Sequence, residues 1–166
     1  MQEKQVKEIT VKELTETADM NRGTFYLYYS DVFDMVQKIE DSLFETLDQI
    51  ITRHEQETVA GEMTPILGEL FRFVGDNREM CGVLLSPNGD MNFLHRLNEV
   101  LREKFLKYWR NTRPARSADA FDYHYSFVIF GVAGIIRAWV GRNCPETPEQ
   151  MASMVSAMIL RGETPA

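Results

Sequence analysis

A chain of 166 residues has room for one main hydrophobic core with a small satellite bundle, not for two large independent domains. With 44% hydrophobic and 26% charged residues it has ordinary globular values, which excludes a disordered or low-complexity chain. The formal charge is −7, and residues 1–45 alone hold five Lys/Arg against ten Asp/Glu, a balance of −5 that does not favour phosphate contact there.

Apolar residues recur at helical spacing almost throughout, and no alternating β-branched stretch is bounded by turn signals, so the expected fold is all-α. Breaks are expected at Asp19 to Asn21, Tyr29 to Asp31, Thr58 to Thr64, Asp76 to Asn77, Ser86 to Asp90, Thr112 to Ser117 and Asn143 to Thr147. The first helix runs Val11 to Ala18. Thr10 and Glu13 have capping-box spacing, and Ile9 and Leu14 flank it as a hydrophobic staple. Arg22 to Tyr28 follows after three residues, with Asn21 as N-cap and Asp19 suited to the left-handed turn between them. Two short helices joined so tightly make a helix-turn-helix, whose small core would be Leu14, Ala18, Phe25 and Tyr29.

A long third helix opens at Asp31, with Asp34 in its first turn, and runs through Phe33, Val36, Ile39, Leu43, Leu47, Ile50 and Ile51; it is long enough to link two bodies. Pro65 suits the start of the next helix, whose buried face is Ile66, Leu67, Leu70, Phe71 and Val74. Met80 to Leu85 reads as a short apolar helix. Asp90 caps a longer one bearing Phe93, Leu97, Leu101, Phe105 and Trp109. Ala118 to Arg142 is apolar right round its middle and needs cover on all sides, with Gly131 and Gly134 leaving one face open to close approach. Thr147-Pro148-Glu149-Gln150 starts the last helix, where Met151, Met154, Val155, Met158 and Ile159 repeat as a seam. These two closing helices point to a homodimer interface at Gly131, Gly134, Ile135, Trp139, Met151, Met154, Val155 and Met158.

Chemistry-bearing motifs are few. Cys81 and Cys144 have no partner pairs, and His54, His95 and His124 lack a second ligand at metal-site spacing, so no metal and no cofactor is expected. No Gly-rich phosphate loop or nucleophile elbow nominates an enzyme; the one enzymatic alternative would use His124 with Asp122 or Tyr125. The longest apolar run, Phe127 to Ile136, is half of what a bilayer crossing needs, and Met1 to Lys4 lacks a signal peptide's apolar core; no membrane partner and a cytoplasmic location are expected.

The segment Ile9 to Leu14 followed by Ala18-Asp19-Met20-Asn21-Arg22-Gly23-Thr24-Phe25-Tyr26-Leu27-Tyr28-Tyr29 resembles the DNA-binding signature of tetracycline-repressor (TetR) regulators. A recognition helix enters the major groove N-terminus first, so Arg22 and Thr24 are placed for base edges and phosphates, Gly23 permits close approach, and Tyr26 and Tyr28 offer hydroxyls to the backbone. The resemblance adds Thr10 and Lys12. It implies a DNA-binding domain at 1–45, a ligand-binding and dimerisation domain at 46–166, double-stranded DNA and a small-molecule effector as partners, and repression as the default output. The alternative is a regulator-like binding module without DNA affinity.

The chain departs from the family pattern in two places. Only Met1 to Glu8 precede Ile9, so most of the family's first helix is expected to be missing, and Val32 stands where relatives often carry a phosphate-binding Lys. By the same resemblance the effector pocket would involve Phe71, Met80, Phe93, Leu97, Tyr123, Phe127 and Phe130, an aromatic and Met-rich lining suited to an apolar molecule.

Overall fold

The computed structural model describes residues 6–54, 62–85, 91–112 and 118–161, and among these every regular element is helical. A 3-10 turn, Val6–Glu8, precedes α1 (Val11–Thr17), α2 (Arg22–Tyr28), α3 (Val32–Arg53), α4 (Thr64–Asp76), α5 (Arg78–Leu84), α6 (Met91–Thr112), α7 (Ala118–Gly141) and α8 (Pro148–Arg161). The break expected at Ser86 to Asp90, the Asp90 cap, most of the breaks at Thr58 to Thr64 and Thr112 to Ser117, and the side chain of Trp109 lie outside the described residues.

The helix starts follow from local hydrogen bonding. The Glu13 N–H donates to Thr10 Oγ1 at 3.2 Å and the Thr10 N–H to Glu13 Oε2 at 3.0 Å, a reciprocal box that satisfies two donors the helix leaves unpaired. At α3 the Asp34 N–H donates to Asp31 Oδ1 and the Ser30 N–H to Asp34 Oδ2, each at 2.8 Å. The Ser30 amide and the Lys38 ammonium hold the Asp34 carboxyl below its ordinary range. At α8 the box recurs, with the Thr147 N–H on Gln150 Oε1 at 2.8 Å and the Gln150 N–H on Thr147 Oγ1 at 3.3 Å.

The main core joins α4 to α8, with α5 and α7 closing it. Leu67, Phe71 and Val74 interdigitate with Met151, Ala152, Val155 and Ile159, and Trp139 of α7 packs edge-on to Phe71 at 5.4 Å. The indole N–H of Trp139 donates to the Glu146 carbonyl at 3.1 Å, so its one polar atom is satisfied. Gly75 is required here: an added Cβ would sit 3.3 Å from the Trp139 ring. A second cluster ties α3 to α5 and α6 through Leu43, Leu84 and Phe93. A third joins Phe121 and Tyr125 of α7 to Phe105 and Leu106 of α6.

Three parts of this packing differ from the sequence reading. Trp139, Met151 and Val155, expected at a dimer seam, are 3%, 2% and 1% exposed and belong to the chain's own core, against which the half-buried Ile135 also packs; α8 turns its 151–155–159 edge onto α4 and Trp139 meets Phe71. Conversely α7 is not covered on all sides: Tyr123, Phe127 and Phe130 are 79%, 65% and 74% exposed, half a turn away from the buried Phe121, Tyr125 and Val128. In the small N-terminal core, α1 ends at Thr17, so Ala18 is exposed. Thr15 is buried instead, its hydroxyl donating to the Val11 carbonyl at 2.8 Å. Val32 is buried as well, at 5%; the position is occupied by core packing.

Candidate nucleic-acid interface and apolar cavity

α1 and α2 are joined by a left-handed residue. Asp19 has φ +49°, the Met20 N–H donates to the Thr15 carbonyl at 2.8 Å, and the Asp19 N–H to Glu16 at 3.4 Å, a 6→1 and 5→2 pair that turns the chain sharply. Asp tolerates this conformation better than most residues that carry a Cβ. α2 then starts on the Asn21 side chain, which accepts the Gly23 N–H at 2.7 Å. A Cβ at Gly23 would sit 3.1 Å from that same oxygen, so glycine keeps the cap intact and the helix tip slim.

Only Phe25 of α2 is buried, at 4%, tilted against the Tyr29 ring at 5.4 Å and edge-on to Tyr26 at 5.6 Å. Its burial turns the opposite side of the helix to solvent: Arg22, Gly23, Thr24, Tyr26 and Tyr28 are all exposed, as are Thr10 and Lys12 at the start of α1. All seven residues expected to touch DNA are therefore surface residues of one helix-turn-helix. Lys12 lies 3.9 Å from Glu16, a solvated pair worth little energetically.

Lys38 was not singled out by sequence reasoning. Its ammonium donates to the Tyr28 carbonyl at 2.9 Å, pairs with Asp34 at 3.1 Å and lies 5.5 Å from the centre of the Tyr29 ring. It fastens the end of the recognition helix to the linking helix. A partner ten residues away leaves no mark in local periodicity.

In the body, α3, α4, α6 and α7 enclose a cavity of about 860 Å³, within the usual range for small-molecule sites. Its walls are mostly aliphatic and aromatic. Of the expected lining, Phe93, Leu97 and Phe130 take part, and Phe130, being mostly exposed, stands at the mouth. Phe71, Met80, Tyr123 and Phe127 do not: Phe71 faces α8, Met80 packs into the α3–α5–α6 cluster, and the other two point to solvent. Leu43, Leu47, Ile50 and Ile51 of the linking helix also form a wall. Their apolar spacing was legible; their use as lining was not. Burial pushes the Cys81 thiol in this wall up to about 11, with Cys144 adding to the effect, so it stays protonated at neutral pH.

The residues of the enzymatic alternative engage other partners. Asp122 pairs with Arg102 at 2.6 Å, the Tyr125 hydroxyl donates to the Asn98 carbonyl at 2.8 Å, and His124 stacks on Phe105 at 5.9 Å. Among the described residues no group of three His, Cys, Asp or Glu is placed to hold a metal.

The outer face of α7 is an exposed apolar feature. Besides Tyr123, Phe127 and Phe130 it carries Gly131 and Gly134, with no described residue within 4 Å of a Cβ at either, and on α8 Met154 and Met158 are 41% and 51% exposed. By length and composition alone Ala120–Gly141 is apolar enough to cross a membrane, although no uninterrupted run within it is.

Comparisons with known proteins agree with this architecture. The TetR-type family model described as "Transcriptional regulator C-terminal region" matches residues 61–161. The HTH-type transcriptional regulator YxbF of Bacillus subtilis is 23% identical over 96% of this chain, which spans 41% of that protein's length. Among solved structures, that of the fatty acid degradation regulator FadR from Bacillus halodurans superposes with a TM-score of 0.67 at 12% identity, covering 97% of this chain and 89% of the other; it shares the fold.

Proposed function

Since the chain belongs to the TetR family of transcriptional regulators, we propose that it is a ligand-responsive repressor that reads a palindromic operator as a homodimer in the cytoplasm. Residues 1–45 serve as the DNA-reading domain and 46–166 as the ligand-binding and dimerisation domain. One observation carries the reading: with Phe25 buried as an anchor, Arg22, Thr24, Tyr26 and Tyr28 share the solvent side of a capped helix, next to Thr10 and Lys12. Arg22 reaches base edges, Thr24 and the tyrosines position the helix on phosphates, and the slim tip at Gly23 lets it descend into the groove.

The second copy covers the outer face of α7. Gly131 and Gly134 let the two α7 helices approach closely, while Ile135, Met154 and Met158 flank the contact. A two-fold axis there sets the reading heads about 34 Å apart, one turn of DNA. The effector occupies the apolar cavity. Because α3 both lines that cavity and holds the recognition helix through Lys38, a ligand that favours one position of α3 changes the head spacing; only such differential affinity shifts the equilibrium.

A selection from a random duplex pool tests this. Enriched sequences are expected to carry inverted repeats with half-sites about 10 bp or a multiple apart, binding should weaken steeply as salt rises, and Arg22→Ala should cost about 1–3 kcal/mol. The balance of −5 over residues 1–45 favours a second reading, a ligand-binding module without DNA affinity. No enrichment at low salt, with ligand binding retained, would establish that one.

A further inference from the structure

The cavity has a sign. Among the described residues the charged side chains on its lining are Lys104, Lys107 and Arg137; no Asp or Glu is among them, although the chain holds 25 acidic residues against 18 Lys and Arg. The other polar lining residues are His95 and Asn98, and everything else is apolar. Lys107 and Arg137 are exposed and Lys104 is half-buried; cations without a carboxylate around an apolar cavity suit an anionic head group, whereas a hydrophobic cation would call for carboxylates or bare aromatic faces there.

We propose that the cavity takes an aliphatic carboxylate, its chain in the apolar interior and its head group paired with Lys104. This deepens the reading of the cavity as the effector site and rests on it. Lys104 is chosen by its geometry. Its ammonium lies 3.3 Å from Asp48 Oδ1 and 3.5 Å from Thr52 Oγ1, so this α6 residue straps the linking helix and is also part of the cavity lining. A ligand carboxylate competes with Asp48 for the same ammonium. The strap is partly exposed, with Lys104 at 34% and Asp48 at 55%, so exchanging one carboxylate for another costs little. A second strap, Arg96 to Asp41 at 2.9 Å, ties the same two helices and is not part of the lining, so α3 stays docked nearer the reading head while its far end is released. The head group thus acts on the helix that carries the DNA-reading domain.

The test is titration calorimetry on the full chain with three probes of equal tail length, dodecanoate, dodecanol and dodecyltrimethylammonium, below their micellar concentrations. Dodecanoate is expected to bind at least tenfold more tightly than dodecanol, and the ammonium probe most weakly. Lys104→Met should erase the preference for the acid, Lys104→Arg should retain most of it, and Asp48→Asn should tighten dodecanoate severalfold with dodecanol unchanged. Retained binding of dodecanol by Lys104→Met certifies that the variant is folded. Equal affinity for acid and alcohol, or tighter binding of the ammonium probe, overturns the inference and leaves the effector cavity standing. Binding of none of the three overturns both.

Discussion

The helix-turn-helix end and the helical body are built on different physics. In the former, shape is set mostly by bonds between near neighbours in sequence, Thr10 with Glu13, Thr15 with Met20, Asn21 with Gly23 and Asp31 with Asp34, with Lys38 on the Tyr28 carbonyl as a longer tie. Little is buried, and Phe25 alone anchors α2. In the body, shape is set by side chains that meet from distant helices, Phe71 on Trp139 and Leu67 near Ala152 and Val155. One end is stabilised by caps and the other by packing, so their responses to mutation should differ in kind.

The largest effect belongs to the body. Phe71→Ala removes a side chain with no exposed surface from the centre of the α4–α7–α8 core and should cost about 3–5 kcal/mol in chemical denaturation, through lost burial and the cavity left behind. A loss below about 1 kcal/mol would mean that α8 is not seated on α4 as described. At the reading end, Thr10→Ala should cost about 0.5–2 kcal/mol, the range for an N-cap. That loss should be local: amide exchange in α1 should accelerate while α4 and α8 keep their protection.

The smallest effect lies between the two regions, where α3 meets α4. Burial works against the Glu69 carboxylate, but His54, at 2.6 Å, and Arg53 outweigh it and hold the group below its ordinary value of 4.5. A carboxyl depressed in the folded state contributes stability that is fully present above the unfolded value and is lost as the pH falls through the folded one. Thermal midpoints of the parent should therefore fall as acid is added below about pH 4.5, and Glu69→Gln should flatten that limb while lying lower at neutral pH. An unchanged acid limb would show that the His54–Glu69 contact does not bind α3 to α4.

The same contrast explains what the sequence disclosed. Caps are chemical statements made within one turn, so Thr10, Asp19, Asn21, Asp31 and Thr147 could each be read from residue types and spacing, and each is found in its expected role. Apolar periodicity says that a face is buried without saying against what. On α8 it could not separate Met151 and Val155, in the protomer's core, from Met154 and Met158 outside it. On α7 the aromatic residues assigned to a pocket proved mostly to point outward. Lys38 and Lys104 escaped notice because each finds a partner on another helix, ten residues away in one case and about fifty in the other.

The account depends on the outer face of α7 pairing two copies, and Gly131 tests it most directly. No described residue lies within 4 Å of a Cβ at that position, and replacing a mid-helix glycine with a better helix former favours the helix by about 0.5–1 kcal/mol. Gly131→Glu should therefore leave the fold intact while placing a charge in the closest part of the contact. Sedimentation equilibrium is expected to give the mass of two chains for the parent and of one chain for Gly131→Glu at the same concentration. A parent that sediments as a single chain, or a variant that remains a dimer, would contradict the account.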